Sequence, residues 1–167
     1  ADALFVITSA GIRGAEAMDV LTMAAKASEI GLGETKEVAR GLTGVLQAYA
    51  KEGMTAARAT DIMTAIVREG NLEAADLSPT LGRIVGIAAQ LGISFEELGA
   101  NIATFTRLGV PTEEAVVGLR GVMATFLQPT KEAEKVLAKF GLSAAGLRTK
   151  LGKQGLQATL RDLLVTF

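Results

Sequence analysis

A chain of 167 residues that is 49% apolar, with a net charge of −1, is long enough to bury a core of its own without help from metals or disulfides. It contains no cysteine and no histidine, which excludes a disulfide framework, thiolate zinc and iron-sulfur sites, and every Ser-His or Cys-His catalytic arrangement. Aromatic residues make up only 4% and Trp is absent, so the core is expected to consist of Ala, Leu, Ile and Val in close contact, a composition suited to packed helices.

Apolar residues recur at helical spacing along nearly the whole chain and sustained period-two alternation is missing, so no strand is expected. The periodicity predicts helices over residues 3–10, 14–29, 35–52, 55–68, 80–91, 95–108, 113–127, 131–140, 144–153 and 157–166. Val38, Leu42, Val45, Leu46 and Tyr49 mark the inner face of the third, Leu98, Ile102 and Phe105 that of the sixth, and Val116, Leu119, Val122, Met123 and Phe126 that of the seventh. Residues 69–79 are expected to form the one sizeable loop, and Ser78-Pro79 and Pro129-Thr130 to open helices.

Glycine recurs where each helical run ends, followed almost at once by a capping residue. Gly53-Met54-Thr55, Gly92-Ile93-Ser94 and Gly141-Leu142-Ser143 are three copies of one device. Glycine supplies the left-handed conformation that closes a helix, the apolar residue packs back on its last turn, and Thr or Ser caps the next helix. Ile93 with Leu98 and Leu142 with Leu147 stand at the hydrophobic-staple spacing, and Ser94 to Glu97 reads as a full capping box. Looser versions fall at Gly31-Leu32, at Gly109 through Thr112 and at Gly155-Leu156. Connections this short predict an all-α fold, a bundle of short antiparallel helical hairpins with glycine-closed turns and weak internal duplication. The whole chain, 1–167, reads as one helical domain with hairpin modules at about 30–68, 91–127 and 140–167.

The longest stretch without a charge, Ile84 to Phe95, is about twelve residues, below the roughly 18 needed to span a bilayer. The N-terminus shows no basic leader. Both ends read as cut, the last residues Leu-Val-Thr-Phe carrying no helix stop signal, so a segment of a longer protein is expected. Charge is unevenly placed: residues 1–130 carry 10 basic and 15 acidic side chains, residues 131–167 carry 7 and 3, a separation of −5 against +4.

The adjacent carboxylates Glu96-Glu97 and Glu113-Glu114 fall in first turns, where the helix dipole favours negative charge. Neighbours on a helix also diverge by about 100°, so neither pair suits acid-base work. Lys131, Lys135 and Lys139 form one basic stripe, followed by Arg148, Lys150, Lys153 and Arg161. Such a stripe suits an acidic partner surface or phosphates, although no aromatic residue interleaves with it and Val136, Leu137 and Phe140 read as the buried face opposite. The first six of these basic residues are the candidate interaction face. Gly82 and Gly86 form a small-x-x-x-small motif whose Arg83 and short apolar run point to tight helix packing in a water-soluble core. Gly11 to Gly14 and Gly41 to Gly44 lack the strand and spacing of a phosphate-binding loop. Asp61 and Tyr49 read as capping or packing residues. No catalytic, cofactor or metal site is expected, and no enzyme.

Taken in order, Ala25-Lys26-Ala27, Gly31, Val45 to Tyr49, Ala59-Thr60-Asp61, Ala88 to Ser94, Glu97-Leu98, Ala115, Leu119-Arg120, Pro129-Thr130 and Phe140-Gly141-Leu142 resemble the conserved core of tail tape measure proteins of tailed phages and prophages. The resemblance covers nearly the whole chain, and the long uninterrupted helical ruler and membrane-active stretches of that family are not in it. It implies a virion component of the tail, assembled in the host cytoplasm, that fixes tail length and leaves with the genome. The partners it implies are tail tube, tail assembly chaperone, and distal tail or baseplate hub proteins, with self-association, no specific nucleic acid, and any membrane contact left to the full-length protein. The alternative is a non-viral helical interaction module with a basic C-terminal face.

Overall fold

The computed structural model describes residues 1–166, of Thr166 only the backbone, and Phe167 at the expected cut end lies outside the described residues. The described residues form ten α-helices and one 3-10 turn, without a strand: α1 (Asp2–Ser9), α2 (Gly14–Glu29), α3 (Thr35–Ala48), the 3-10 turn (Ala50–Glu52), α4 (Ala56–Glu69), α5 (Ala74–Leu81), α6 (Val85–Gln90), α7 (Phe95–Arg107), α8 (Thr112–Leu127), α9 (Lys131–Lys139) and α10 (Ala144–Thr166). The fold is an all-α bundle.

Five connections share one hydrogen bond. The apolar residue after the glycine donates its N–H to the carbonyl five residues back: Leu32 to Ala27 at 2.9 Å, Met54 to Tyr49 at 3.4 Å, Ile93 to Ala88 at 3.0 Å, Val110 to Phe105 at 3.1 Å and Leu142 to Leu137 at 2.9 Å. The glycines Gly31, Gly53, Gly92, Gly109 and Gly141 all have positive φ, from 68° to 89°, which a side chain would strain. After three of the five the next helix is capped by a hydroxyl, with Thr55 accepting from the Arg58 N–H at 3.2 Å, Ser94 from Glu97 at 3.2 Å and Ser143 from Gly146 at 3.0 Å, whereas Glu34 and Pro111, which precede α3 and α8, give no side-chain cap. Thr130 caps α9 in the same way, at 3.1 Å from the Ala133 N–H.

At the centre lies α3, against which α1, α2, α4, α5 and α6 all pack. Its Val38, Ala39, Leu42 and Val45 are wholly excluded from solvent, and at roughly 1.5–3 kcal/mol for each large apolar side chain this burial dominates the local energetics. Polar ties fix its neighbours. The Gln47 amide donates to the Ala10 carbonyl at 2.8 Å, and the Ser78 hydroxyl to the Leu32 carbonyl at 3.3 Å. Helix α5 approaches so closely that a Cβ on Gly41 would lie 3.2 Å from the Ser78 carbonyl oxygen. The close backbone approach thus comes from Gly41, while Gly82 and Gly86, expected to pack tightly, have no atom within 4 Å of where their Cβ would stand.

The segment 69–91 departs from expectation. Much of the expected loop is α5, with Pro79 inside it and not at its start, and the expected helix 80–91 is broken over residues 82–84, so that α6 begins at Val85. Pro79 forfeits its hydrogen bond to Ala75, but Leu77, Ser78, Thr80 and Leu81 are buried and the Thr80 hydroxyl donates back to the Asp76 and Leu77 carbonyls at 3.0 and 2.8 Å. Local breaker chemistry loses to burial. The break turns the chain so that Ile84 and Val85 both enter the core.

Helix α10 is kinked at Gly155, with φ 83° and ψ 175°, a region open essentially to glycine alone. The two helices expected over 144–153 and 157–166 are therefore present as the two halves of α10, parted at Gly155. In an unbroken helix Leu147 and Leu151 would lie about 170° around the axis from Leu156, Leu160 and Leu163. The kink cancels that difference, and Leu147, Leu151 and Leu156 all join the central cluster.

Two glycine substitutions should act in opposite directions. Gly41→Ala, crowding the Ser78 backbone, is expected to destabilise by about 1–3 kcal/mol, whereas Gly118→Ala in α8, with nothing within 4 Å, should stabilise by about 0.5–1 kcal/mol. Urea unfolding of the two variants checks the signs.

Candidate interaction surface

The paired carboxylates diverge, and three of the four tie separate segments together. Glu96 receives two hydrogen bonds from the Arg58 guanidinium of α4, at 2.9 and 2.5 Å. Its neighbour Glu97 turns instead toward α10, where its carboxylate accepts the backbone N–H of Leu156. The capping box is therefore half of the expected one: Ser94 caps Glu97, but the returning arm is spent on another helix. Across the molecule Glu113 pairs with Arg83 at 2.6 Å, while Glu114 is exposed.

The basic face divides into free and engaged residues. Lys131, Lys135, Lys139 and Lys153 are exposed. Arg148 is a cap for α8: its guanidinium donates to the carbonyls of Phe126 at 3.0 Å and Leu127 at 3.1 Å, placing a cation at a helix C-terminus, where the dipole favours it. Lys150 pairs with Asp162 at 3.3 Å. The Gln154 amide, and after it the Lys150 ammonium, hold the Asp162 carboxyl below its usual range. The apolar residues read as the buried face of α9 are not buried: Val136 is 47% and Phe140 43% exposed, and Leu137 is half-buried. No residue of α9 is buried, because the helix lies at the rim of the bundle with open clefts on both sides. One, of about 580 Å³, is lined by Ile87, Gln90, Ala124 and Ala133 among others, and one of about 480 Å³ by Leu127, Glu134, Ala138 and Ala145 among others.

Between α4 and α7 runs a largely apolar groove of about 330 Å³ over Ile62, Ala65, Ile66, Ala100 and Ala103, with Glu69, Glu96 and Arg107 at its edges. At the junction of α3 and α7, Tyr49 is wholly buried. Its hydroxyl donates to the Ile93 carbonyl at 3.1 Å and its ring lies 5.8 Å from that of Phe95. Burial, and then the carboxylates of Glu52, Glu96 and Glu97, push its phenol well above the usual range. Asp61 is exposed on α4. The ties made by Glu97 and Arg148 were not foreseen, since both span long stretches of sequence and no local spacing announces them.

Among the described residues no group of three or more Asp or Glu side chains is placed to hold a metal ion, and no helix is long and apolar enough to cross a membrane. Short closed helices, inter-helix ties and open clefts define an all-α helical bundle. The chain belongs to the phage-related minor tail protein family, which matches residues 1–166. It is similar to a tape measure protein of Pneumococcus phage Dp-1, 24% identical over 137 residues, which are 82% of this chain and 12% of that protein. The chain therefore spans a small part of the relative it matches. No solved structure matches it.

Tyr49 gives a titration test. A phenol held protonated by the fold stabilises fully below its unfolded value of about 10 and loses that contribution as the pH rises beyond it. Stability should therefore fall above about pH 10, and Tyr49→Phe should flatten that alkaline decline while costing about 1–2 kcal/mol at neutral pH through the orphaned Ile93 carbonyl. Denaturant unfolding against pH checks both, and since Tyr49 is the only tyrosine its ionisation can be followed directly by ultraviolet absorption.

Proposed function

We propose that this domain is a non-enzymatic, structural element of a tail tape measure protein in the phage virion, and that tail-length determination and genome delivery are tasks of the whole protein to which it contributes an anchoring or recruiting body. The match of residues 1–166 to a minor tail protein family carries the reading, and the similarity to a named tape measure protein supports its finer part. A ruler requires length in proportion to residue number, about 1.5 Å per residue of continuous helix. Helices of 6 to 16 residues, with α10 broken at Gly155, fold back on one another and do not supply it.

The anchoring body is one helical domain of repeated hairpins, with modules at about 30–68, 91–127 and 140–167. Support comes from the equivalent closures at Gly31-Leu32, Gly92-Ile93 and Gly141-Leu142, which open the modules, and at Gly53-Met54 and Gly109-Val110, which divide the first two. Its contacts are other tail proteins, from the tube, the assembly chaperone or the distal tail and hub, together with further copies of itself. The contact face we assign is Lys131, Lys135, Lys139 and Lys153, directed at an acidic protein surface. Arg148 and Lys150 are withdrawn from it by their internal partners.

In-frame deletion of residues 1–166 from the parent protein tests the reading. An anchoring body predicts that tails fail to assemble, whereas a ruler segment predicts intact tails shortened by about 250 Å. The triple variant Lys131→Glu, Lys135→Glu, Lys139→Glu should leave the melting temperature within a few degrees, since exposed charges contribute little to stability, yet lower the yield of assembled tails several-fold. Unchanged assembly would remove the basic face from the proposal.

A further inference from the structure

We propose that residues 131–166 form an arm that is latched to the rest of the bundle through both halves of α10 and opens as one unit while the body keeps its fold. The observation is the way this segment is held. Among the described residues, the only buried members of the central apolar cluster beyond residue 127 are Leu147, Leu151 and Leu156, and α9 has no buried residue at all. The body, by contrast, is organised around α3, against which α1, α2, α4, α5 and α6 pack, whereas α10 packs on α7 and α8. Losing the arm leaves that centre untouched.

Polar latches join arm to body at both halves of α10. At one, Arg148 of α10 caps the last carbonyls of α8. At the other, Glu97 of α7 takes the N–H of Leu156, the first residue past the kink. The first N–H groups of a helix find no partner one turn back, so at the start of the helix beyond the kink the body supplies a cap. Gly155 is what admits the carboxylate, since a Cβ there would collide with the Glu97 side chain. Within the arm a third set of contacts braces the kink: Asp162, beyond it, accepts from Gln154 at 2.9 Å and pairs with Lys150 at 3.3 Å before it. The two halves of α10 are thereby tied to one another as well as to the body, which makes joint release the natural mode. Charge adds a long-range component, because an arm at +4 is held to a body at −5 by an attraction that salt screens.

Native-state hydrogen exchange on the intact chain tests this, because an undocked helix of this length is marginal in water and exchanges. The amides of Leu147, Leu151, Leu160 and Leu163 are expected to open at least tenfold more often than those of Leu42, Val45 and Leu46, as sub-global opening implies. Glu97→Ala and Arg148→Met should each raise opening of all four arm amides by about tenfold, the effect of one lost charge-assisted hydrogen bond, and leave the three body amides unchanged. Raising the salt from about 0.05 to about 0.5 M should act in the same direction. Equal protection of arm and body, or a Glu97→Ala effect confined to residues beyond Gly155 with Leu147 and Leu151 unmoved, would overturn the proposal.

Discussion

The hydrogen bond that closes each glycine turn, from the apolar residue behind the glycine to the carbonyl five residues earlier, governs most of this structure. It fixes where a helix stops, and in doing so sets which way the chain leaves. In the Gly92 turn the same residue that donates the bond, Ile93, is wholly buried, and its own carbonyl accepts the Tyr49 hydroxyl. One residue therefore ends α6, anchors the core, and ties the close of α3 to the start of α7. Without such closures a chain of Ala, Leu and Glu would gain by running on as longer helices, and there would be no compact body.

The core these turns enclose is made of small side chains, and its consequence is proximity. Helices α3 and α5 meet at Gly41 and the Ser78 backbone with almost no side chain between them, which is how a core short of aromatic residues reaches high density. Buried hydroxyls take part as well. Thr43, Thr60, Thr80 and Thr106 each return a hydrogen bond to a carbonyl of their own helix, and among the described residues no buried side-chain nitrogen or oxygen lacks a partner. Polar residues can thus sit inside without long-range networks, and the clefts and the exposed lysine stripe are left to the surface.

Much of this was legible in the amino-acid sequence, for a physical reason. Glycine and the hydroxyl that follows act within a few residues, so the positions of Gly53, Gly92 and Gly141 and of Thr55, Ser94 and Ser143 announce local events. Reading failed where a distant partner decided the outcome. Pro79 looks like a helix start until the burial of Leu77, Ser78 and Leu81 is set against it. Val136 and Phe140 look like a core face because the periodicity of α9 is sound, yet periodicity describes the helix and not whether anything covers it. Arg148 looked like a free surface cation and is a cap on a helix more than twenty residues earlier in the chain, while Glu97 stood at the right place for a capping box and bonded elsewhere.

The kink in α10 reaches beyond its own neighbourhood. Because its two sets of leucines fall on opposite sides of a straight helix, the same residues without the bend at Gly155 would describe a rod wetted by apolar surface on two flanks, the form of a strut gripped between two bodies. A single glycine thus separates a helix that folds home onto its own bundle from one that bridges to something else.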